Sequence, residues 1–396
     1  MILTTCAVCA VPLTHEAPAT CAKCDTRYCS ATCRHSHWRG GHRGLCPEIR
    51  RAGGAEQYNA NKKYKEAVAV AVKECAEDTK GQTCYICLED GSEEGLVRSC
   101  ACRGAAGVAH LSCLAKQAKI LCDEAEEVDW DDESYAESWH KWTTCGLCKQ
   151  DYHGVVCAAL GWACWKAYVG LPEADDVRHS ALSTLSRSIH NIPGTSVICI
   201  HEAHLDCVRR FMSDDEEDEL LRAQTHLATA YENVGRTSEA LALHREIYAK
   251  TKELVDEGED LVHDLINTVS GLSSTLMELG RFSEARTLLH EHLTVASDSL
   301  GVDHVETLYI HLYYADSLIY EDDDHGEETD DEQDRKDYLE AERIAADVLC
   351  RAERIYGSHH PGTIYARDIL KDAREELAAQ ERRRTLRPRP KRARTG

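Results

Sequence analysis

Between residues 177 and 377, apolar positions return at three- and four-residue intervals, which predicts a series of amphipathic helices. Within this series LATAYENVGRTSEALALHREIY at 227–248 repeats as LSSTLMELGRFSEARTLLHEHL at 272–293, a shift of 45 residues. Gly235 and Gly280 are expected to close a first helix, Arg236 and Arg281 to follow it, and Ala240 and Ala285 to let a second helix pack closely. A further unit shows in GVDHVET at 301–307 and GSHHPGT at 357–363, where a shift of 56 leaves room for about eleven inserted residues. The acidic stretch 321–337 supplies that insertion and reads as a solvated loop. Residues 177–212 read as a degenerate first copy. Each helix pair can bury only one face against its neighbours, so 177–377 is expected to stack into an all-α solenoid. His304 and His360, at matching places, read as interhelical packing residues. Upstream, residues 51–80 hold small apolar residues and good helix formers, predicting a helical linker that spaces its neighbours. Residues 154–176 predict an apolar connecting helix. Its core, GVVCAALGWACW, stops at Lys166, short of the ~18 apolar residues of a membrane span.

Composition changes the picture in two ways. The chain has 396 residues, enough for several cores, and 21 of them are cysteines. No basic leader or long apolar run opens the sequence, so the expected setting is reducing. There the thiols argue for metal ligation instead of disulfides. The formal charge is -23, and the basic tail 378–396 carries eight basic residues between 382 and 394, which leaves the remainder near -31 (-23 minus 8). The body therefore repels nucleic acid, and only the tail offers a basic face.

The cysteines fall into two modules, 1–50 and 81–153. In the first, Cys6, Cys9, Cys21, Cys24, Cys29, Cys33, His42 and Cys46 make eight donors, enough for two tetrahedral zinc ions. With RYCSATC, Trp38 and the final HxxxC, residues 6–46 resemble the MYND zinc finger. That family binds short, often proline-containing peptides. The resemblance implies interleaved sites, with Cys6, Cys9, Cys29 and Cys33 on one ion and Cys21, Cys24, His42 and Cys46 on the other. WRGGH places one residue more than usual between Trp38 and His42, which is expected to lengthen a loop. His15, His35 and His37 fall outside the pattern and read as surface residues.

The second module holds Cys84, Cys87, Cys100, Cys102, His110, Cys113, Cys145 and Cys148. The CAC pair, the spacing around His110, CRG at 102–104 and Tyr152 resemble the RING-CH finger; the related PHD finger sets its histidine closer to the fourth cysteine. The resemblance implies cross-bracing, with Cys84, Cys87, His110 and Cys113 on a third zinc and Cys100, Cys102, Cys145 and Cys148 on a fourth. It also implies ubiquitin ligation without a covalent catalytic residue. Ile86 would contact the conjugating enzyme, and Lys149 would stand where active RING ligases present a cation to ubiquitin. The acidic spacer between Cys113 and Cys145 is long for that family, and the membrane helices that often follow such fingers are missing. If the spacer leaves Ile86 exposed beside Leu147, ligation is favoured; if it covers them, a scaffold is.

The helical units are similar to tetratricopeptide repeats of the kinesin-light-chain-like kind. The expected architecture is therefore multidomain: two small zinc-stabilised cross-brace modules followed by an all-α solenoid of helix hairpins. The expected function is an intracellular adaptor, cytoplasmic or nuclear, with RING-type ligase activity and protein partners at the first finger and the repeats. The alternative is a non-catalytic scaffold, or a nuclear regulator addressed by its basic tail.

Overall fold

In the computed structural model the described residues are 5–11, 13, 19–100, 102–104, 106–127, 138–190, 195–211, 217–258, 261–320, 331–357 and 360–386. Two compact units divide the chain, residues 1–234 and 235–396.

The first unit begins with the antiparallel pair β1 (Ala19–Thr20) and β2 (Arg27–Tyr28), Ala19 facing Tyr28. Helix α1 (Ala31–His37) follows, started by Ser30, whose hydroxyl accepts the Cys33 N–H at 3.2 Å. The expected loop at Trp38–His42 is instead a π-helical turn leading into α2 (Arg43–Arg51). The added residue is absorbed at a kink inside this turn, where Gly41, at φ 126°, takes a non-helical backbone angle that favours glycine.

The helical linker is present as α3 (Ala55–Cys75), and the structure makes it more than a spacer. Its first residue donates to the Cys24 carbonyl at 2.9 Å, and Ala55 and Tyr58 belong to the core of the first finger. Ala60 and Tyr64 pack into a core of helices, while Val68, Ala71, Val72 and Cys75 pack against the second finger. Helix α4 (Leu111–Glu127) starts where Glu94 accepts the Ser112 N–H at 3.0 Å. Helix α5 (Gly154–Tyr168) is apolar all round and so sits at the centre, against α3, α4 and α6 (Asp176–Ile189). Trp142, Trp165, Leu160 and Leu185 are fully buried there. Arg178 ties the elements together: its guanidinium donates to the carbonyls of Val169 at 2.6 Å and Leu171 at 2.8 Å and pairs with Glu56 at 2.7 Å. Helices α7 (Thr195–Phe211) and α8 (Glu217–Glu232) complete the unit.

The second unit is a series of helices, α9 (Thr237–Asp256), α10 (Val262–Glu278), α11 (Phe282–Leu300), α12 (Val305–Ser317), α13 (Asp331–Tyr356) and α14 (Pro361–Leu386). Each packs on its neighbour along the chain. Gly280 closes α10 at φ 70°, its repeat-mate Gly235 stands at φ 74°, and Ala240 and Ala285 are fully buried. His304 and His360 pack between helices, His304 edge-on to His263 of α10 at 5.7 Å and His360 stacked on Tyr356 of α13 at 4.8 Å, and each also caps a helix. The Nδ1 of His304 accepts the Glu306 N–H at 3.4 Å and that of His360 accepts the Gly362 N–H at 3.2 Å, each at the start of a helix. The acidic insertion differs from the expected loop. Residues 321–330 lie outside the described residues, but 331–337 form the first turns of α13, where acidic side chains suit the positive end of the helix dipole. Among the described residues no helix is long and apolar enough to cross a membrane.

Candidate zinc centres

Four CxxC turns share one backbone. In each, the first cysteine's carbonyl accepts the N–H of the residue after the second cysteine: Ala10 at 3.0 Å, Asp25, Leu88 and Lys149 at 2.9 Å. The first cysteine's own N–H reaches one residue further, to the carbonyls of Val11, Thr26, Glu89 and Gln150, all at 2.8 Å. Closing so tight a turn puts Ala10, Asp25, Leu88 and Lys149 in the left-handed region, at φ 57° to 67°. They are the non-glycine residues with positive φ among the described residues. A left-handed backbone costs about 1–2 kcal/mol at a residue with a Cβ, so these turns must be held by something else.

The sulfur and nitrogen atoms gather into four groups, each with its atoms within 4.8 Å of one another. The groups are Cys6, Cys9, Cys29 and Cys33; Cys21, Cys24, His42 and Cys46; Cys84, Cys87, His110 and Cys113; and Cys100, Cys102, Cys145 and Cys148. These are the interleaved sets that the two resemblances imply. Cys9 lies 3.5 Å from Cys29 and 3.8 Å from Cys33, Cys21 lies 3.8 Å from Cys46, and Cys102 lies 3.8 Å from Cys145, all between sulfurs. A tetrahedron with Zn–S bonds of about 2.3 Å has edges of about 3.8 Å, whereas a disulfide needs about 2.05 Å. The spacing fits the metal.

The two histidines present opposite nitrogens. His42 turns Nε2 toward Cys24 Sγ at 3.4 Å, while its buried Nδ1 has no hydrogen-bond partner among the described residues. His110 turns Nδ1 toward Cys87 at 3.4 Å and Cys113 at 3.9 Å, and its Nε2 donates to the Asp90 carbonyl at 2.9 Å. A donated second nitrogen fixes tautomer and ring angle for a metal ligand. His42 is instead held by packing: the ring of His37 lies over it at 4.7 Å, and the buried Tyr28 hydroxyl bonds His37 Nδ1 at 3.0 Å. His37 is half-buried and not a free surface residue, because the turn at Trp38–His42 brings its ring over that of His42. Tyr28, too, gave no signal in the spacing of donors. His35 is exposed as expected, and His15 lies outside the described residues.

Charge at the groups points the same way. Desolvation opposes a thiolate at Cys84, yet the backbone N–H groups of Cys87, His110 and Ile86 outweigh it and lower its pKa to about 6. Cys6 falls to about 6 in the same way, through Cys29, Cys9 and Val8. Their neighbours respond oppositely: Cys29 is pushed up to about 12 by the side chains of Cys9, Cys33 and Cys6, and Cys113 to about 12 by burial and then Cys87. Three or four thiols this close cannot all ionise unless a cation sits among them. At the fourth group Gly107, φ 76°, passes so near that a Cβ would stand 2.7 Å from Cys102 Cβ and 2.9 Å from Cys100 Sγ.

The described part of the spacer turns away into the helical core. Ala118, Cys122, Trp139 and Trp142 pack there around α5, and residues 128–137 lie outside the described residues. Ile86 is half-buried against the second finger's core. More open are Leu88, 77 % exposed, and Leu147, 51 % exposed, and Lys149 is exposed on the same turn as Leu147.

Comparison with known proteins agrees with this geometry. Residues 6–46 match the MYND finger family, 84–148 the RING-variant domain, and 220–258, 265–306 and 331–362 the tetratricopeptide repeat. No curated protein matches the chain. Two structures of a Podosopora anserina putative kinesin light chain with nearly identical TPR-like repeats, one of them a single-substitution variant, are similar over 62 % of this chain. The variant aligns over 96 % of its own length at 14 % identity and TM-score 0.39. The other aligns over 97 % of its length at 15 % identity and TM-score 0.38. BtubC (BKLC) from P. vanneervenii aligns over 72 % of this chain and 96 % of its own, at 14 % identity and TM-score 0.35. The chain thus joins a MYND finger and a RING-variant domain to tetratricopeptide repeats, zinc-binding modules followed by protein-interaction modules.

Proposed function

We propose that the chain is a zinc-dependent adaptor that also works as a RING-type ubiquitin ligase. Its fingers hold four zinc ions, with fourteen cysteines, His42 and His110 as ligands. Four protein donors fill each shell and leave no place for an activated water, so the metal shapes the surface and supplies no chemistry. Rate then comes from holding a charged conjugating enzyme beside the acceptor lysine. The observation that carries this reading is the apolar surface left open on the two CxxC turns of the second finger, Leu88 on one and Leu147 on the other, with Ile86 preceding Leu88. Self-ubiquitination against a panel of conjugating enzymes tests it. Transfer by the wild type that is lost in Ile86→Ala, at unchanged zinc content, supports the contact; equal transfer by both removes it.

A scaffold without catalysis is favoured by a different observation, the exposed Val8, Val11 and Leu45 of the first finger, which suit an apolar peptide. No transfer with any conjugating enzyme leaves that reading. The basic tail acts as a nuclear import address: Arg382, Arg383 and Arg384 fall in the last turns of α14, and the five basic residues that follow, between 387 and 394, add a cluster whose charge suits an acidic receptor groove. Fusing 378–396 to a cytoplasmic reporter tests this: a reporter that stays in the cytoplasm returns the tail to bulk electrostatics.

A further inference from the structure

Away from the zinc groups, α6, α7 and α8 bring four histidines together. His190 follows α6, His201 and His204 stand on α7, and His226 stands on α8. The ring of His226 stacks on His190 at 5.1 Å and lies 5.6 Å from His201. The Ser186 hydroxyl sits between His201 Nδ1 at 2.8 Å and His226 Nδ1 at 3.3 Å. One hydroxyl has one proton, so it donates to one ring and accepts an N–H from the other. A proton added to the accepting ring leaves the hydroxyl proton without a ring nitrogen to donate to and places charge in a closed space. His201 is fully buried, and its Nε2 has no partner among the described residues.

Among the described residues the acidic groups nearest the cluster are already engaged. Glu219 of α8 is engaged by His204 Nε2 at 3.1 Å, by the Ser183 hydroxyl at 2.5 Å and by Arg222. Glu202 of α7 takes the Tyr231 hydroxyl at 3.1 Å. Arg187 of α6 and Arg222 of α8 add positive charge, and the α5 thiols Cys157 and Cys164 are kept neutral by burial.

We infer that this histidine cluster is an acid-sensitive latch, which holds α7 and α8 on α6 at neutral pH and releases them in mild acid. Release would uncover Val197, Ile200 and Ala203 of α7 together with the α6 residues they pack among, Leu185 and Ile189. Burial, with the neighbouring histidines, lowers the pKa of His201 to about 4 and that of His226 to about 3. Both values lie below the ~6.5 of an exposed histidine, so the opened segment binds protons that the closed one refuses. Stability from these two rings is therefore complete above about pH 6.5 and is lost as pH falls toward the lowered values. From pH 7.5 to 5.5 each ring favours opening about tenfold, and the two together about 100-fold.

Amide hydrogen exchange on the zinc-loaded full chain at pH 7.5 and 5.5, corrected for the intrinsic rate, reads the opening of α7 and α8. Zinc release is followed in the same samples with a chromophoric chelator. The expected ratio between the two pH values is about 100-fold for the wild type and about tenfold for His201→Gln and for His226→Gln. Because the readout is a ratio within each protein, a variant that is merely less stable does not mimic the effect. Equal ratios in all three proteins overturn the latch, and so does opening that follows zinc release in each of them.

Discussion

At the residue following each CxxC pair, identity and backbone conflict, since alanine, aspartate, leucine and lysine all adopt an angle that suits glycine. Leu88→Gly relieves that angle and removes an exposed side chain, so stability is expected to stay within about 1 kcal/mol and zinc content to be unchanged. At Gly107 the reverse holds. Gly107→Ala drives a Cβ into Cys100 and Cys102 at an unfavourable φ, and should lose the zinc of that group and cost at least about 1–2 kcal/mol. Metal analysis with thermal denaturation separates the two variants; equal zinc loss from both would contradict the reading of these turns. The eight CxxC cysteines were legible because spacing alone identifies a pair of thiolates on a tight turn, and the other eight donors through the resemblance to the two fingers. The left-handed residues, the roles of Tyr28 and His37 and the approach of Gly107 were not, because hydrogen-bond register and distant packing decide them, and neither leaves a spacing pattern.

Among the elements, the repeated helices were plain from their period, while what starts them was not. Histidine is an uncommon N-cap, and the match between GVDHVET and GSHHPGT showed the packing of both rings but not the acceptor nitrogen that each also places at a helix start. His360→Ala is expected to destabilise the second unit by about 1 kcal/mol and His360→Asp to restore it, as followed by urea unfolding of the helical signal. Equal loss in both variants would make the stack on Tyr356, and not the cap, the larger contribution. The beginning of α13 was hidden for a related reason: its acidic residues look like solvent-loving loop, yet the first turn of a helix welcomes negative charge. The centrality of α5 could be read from its all-round apolar character, but not which helices would surround it.

For the whole molecule, metal should matter unevenly. The first unit contains all four donor groups, whereas the cores of the second unit are built from leucine, isoleucine, valine and alanine. A strong chelator is expected to disorder the fingers while α9 to α14 keep their helical signal, and to act faster in mild acid, where protons compete for the thiolates. Simultaneous loss of all helical signal on chelation would contradict this division.

Helix α3 bears on how the chain can be cut. At about 1.5 Å per residue its 21 residues span about 30 Å, and along that length its side chains serve the first finger, the helical core and the second finger in turn. Boundaries drawn from cysteine spacing, 1–50 and 81–153, would each discard it. A fragment of residues 1–50 would lack Ala55 and Tyr58. A fragment of 81–153 would lack Ala71, Val72 and Cys75 on one side and Val156, Ala159 and Leu160 on the other, and is expected to bind zinc weakly and aggregate. Residues 1–234 should instead remain monomeric with full metal, as light scattering and zinc titration would show. In evolutionary terms, neither finger can be lent to another protein without its share of this helix.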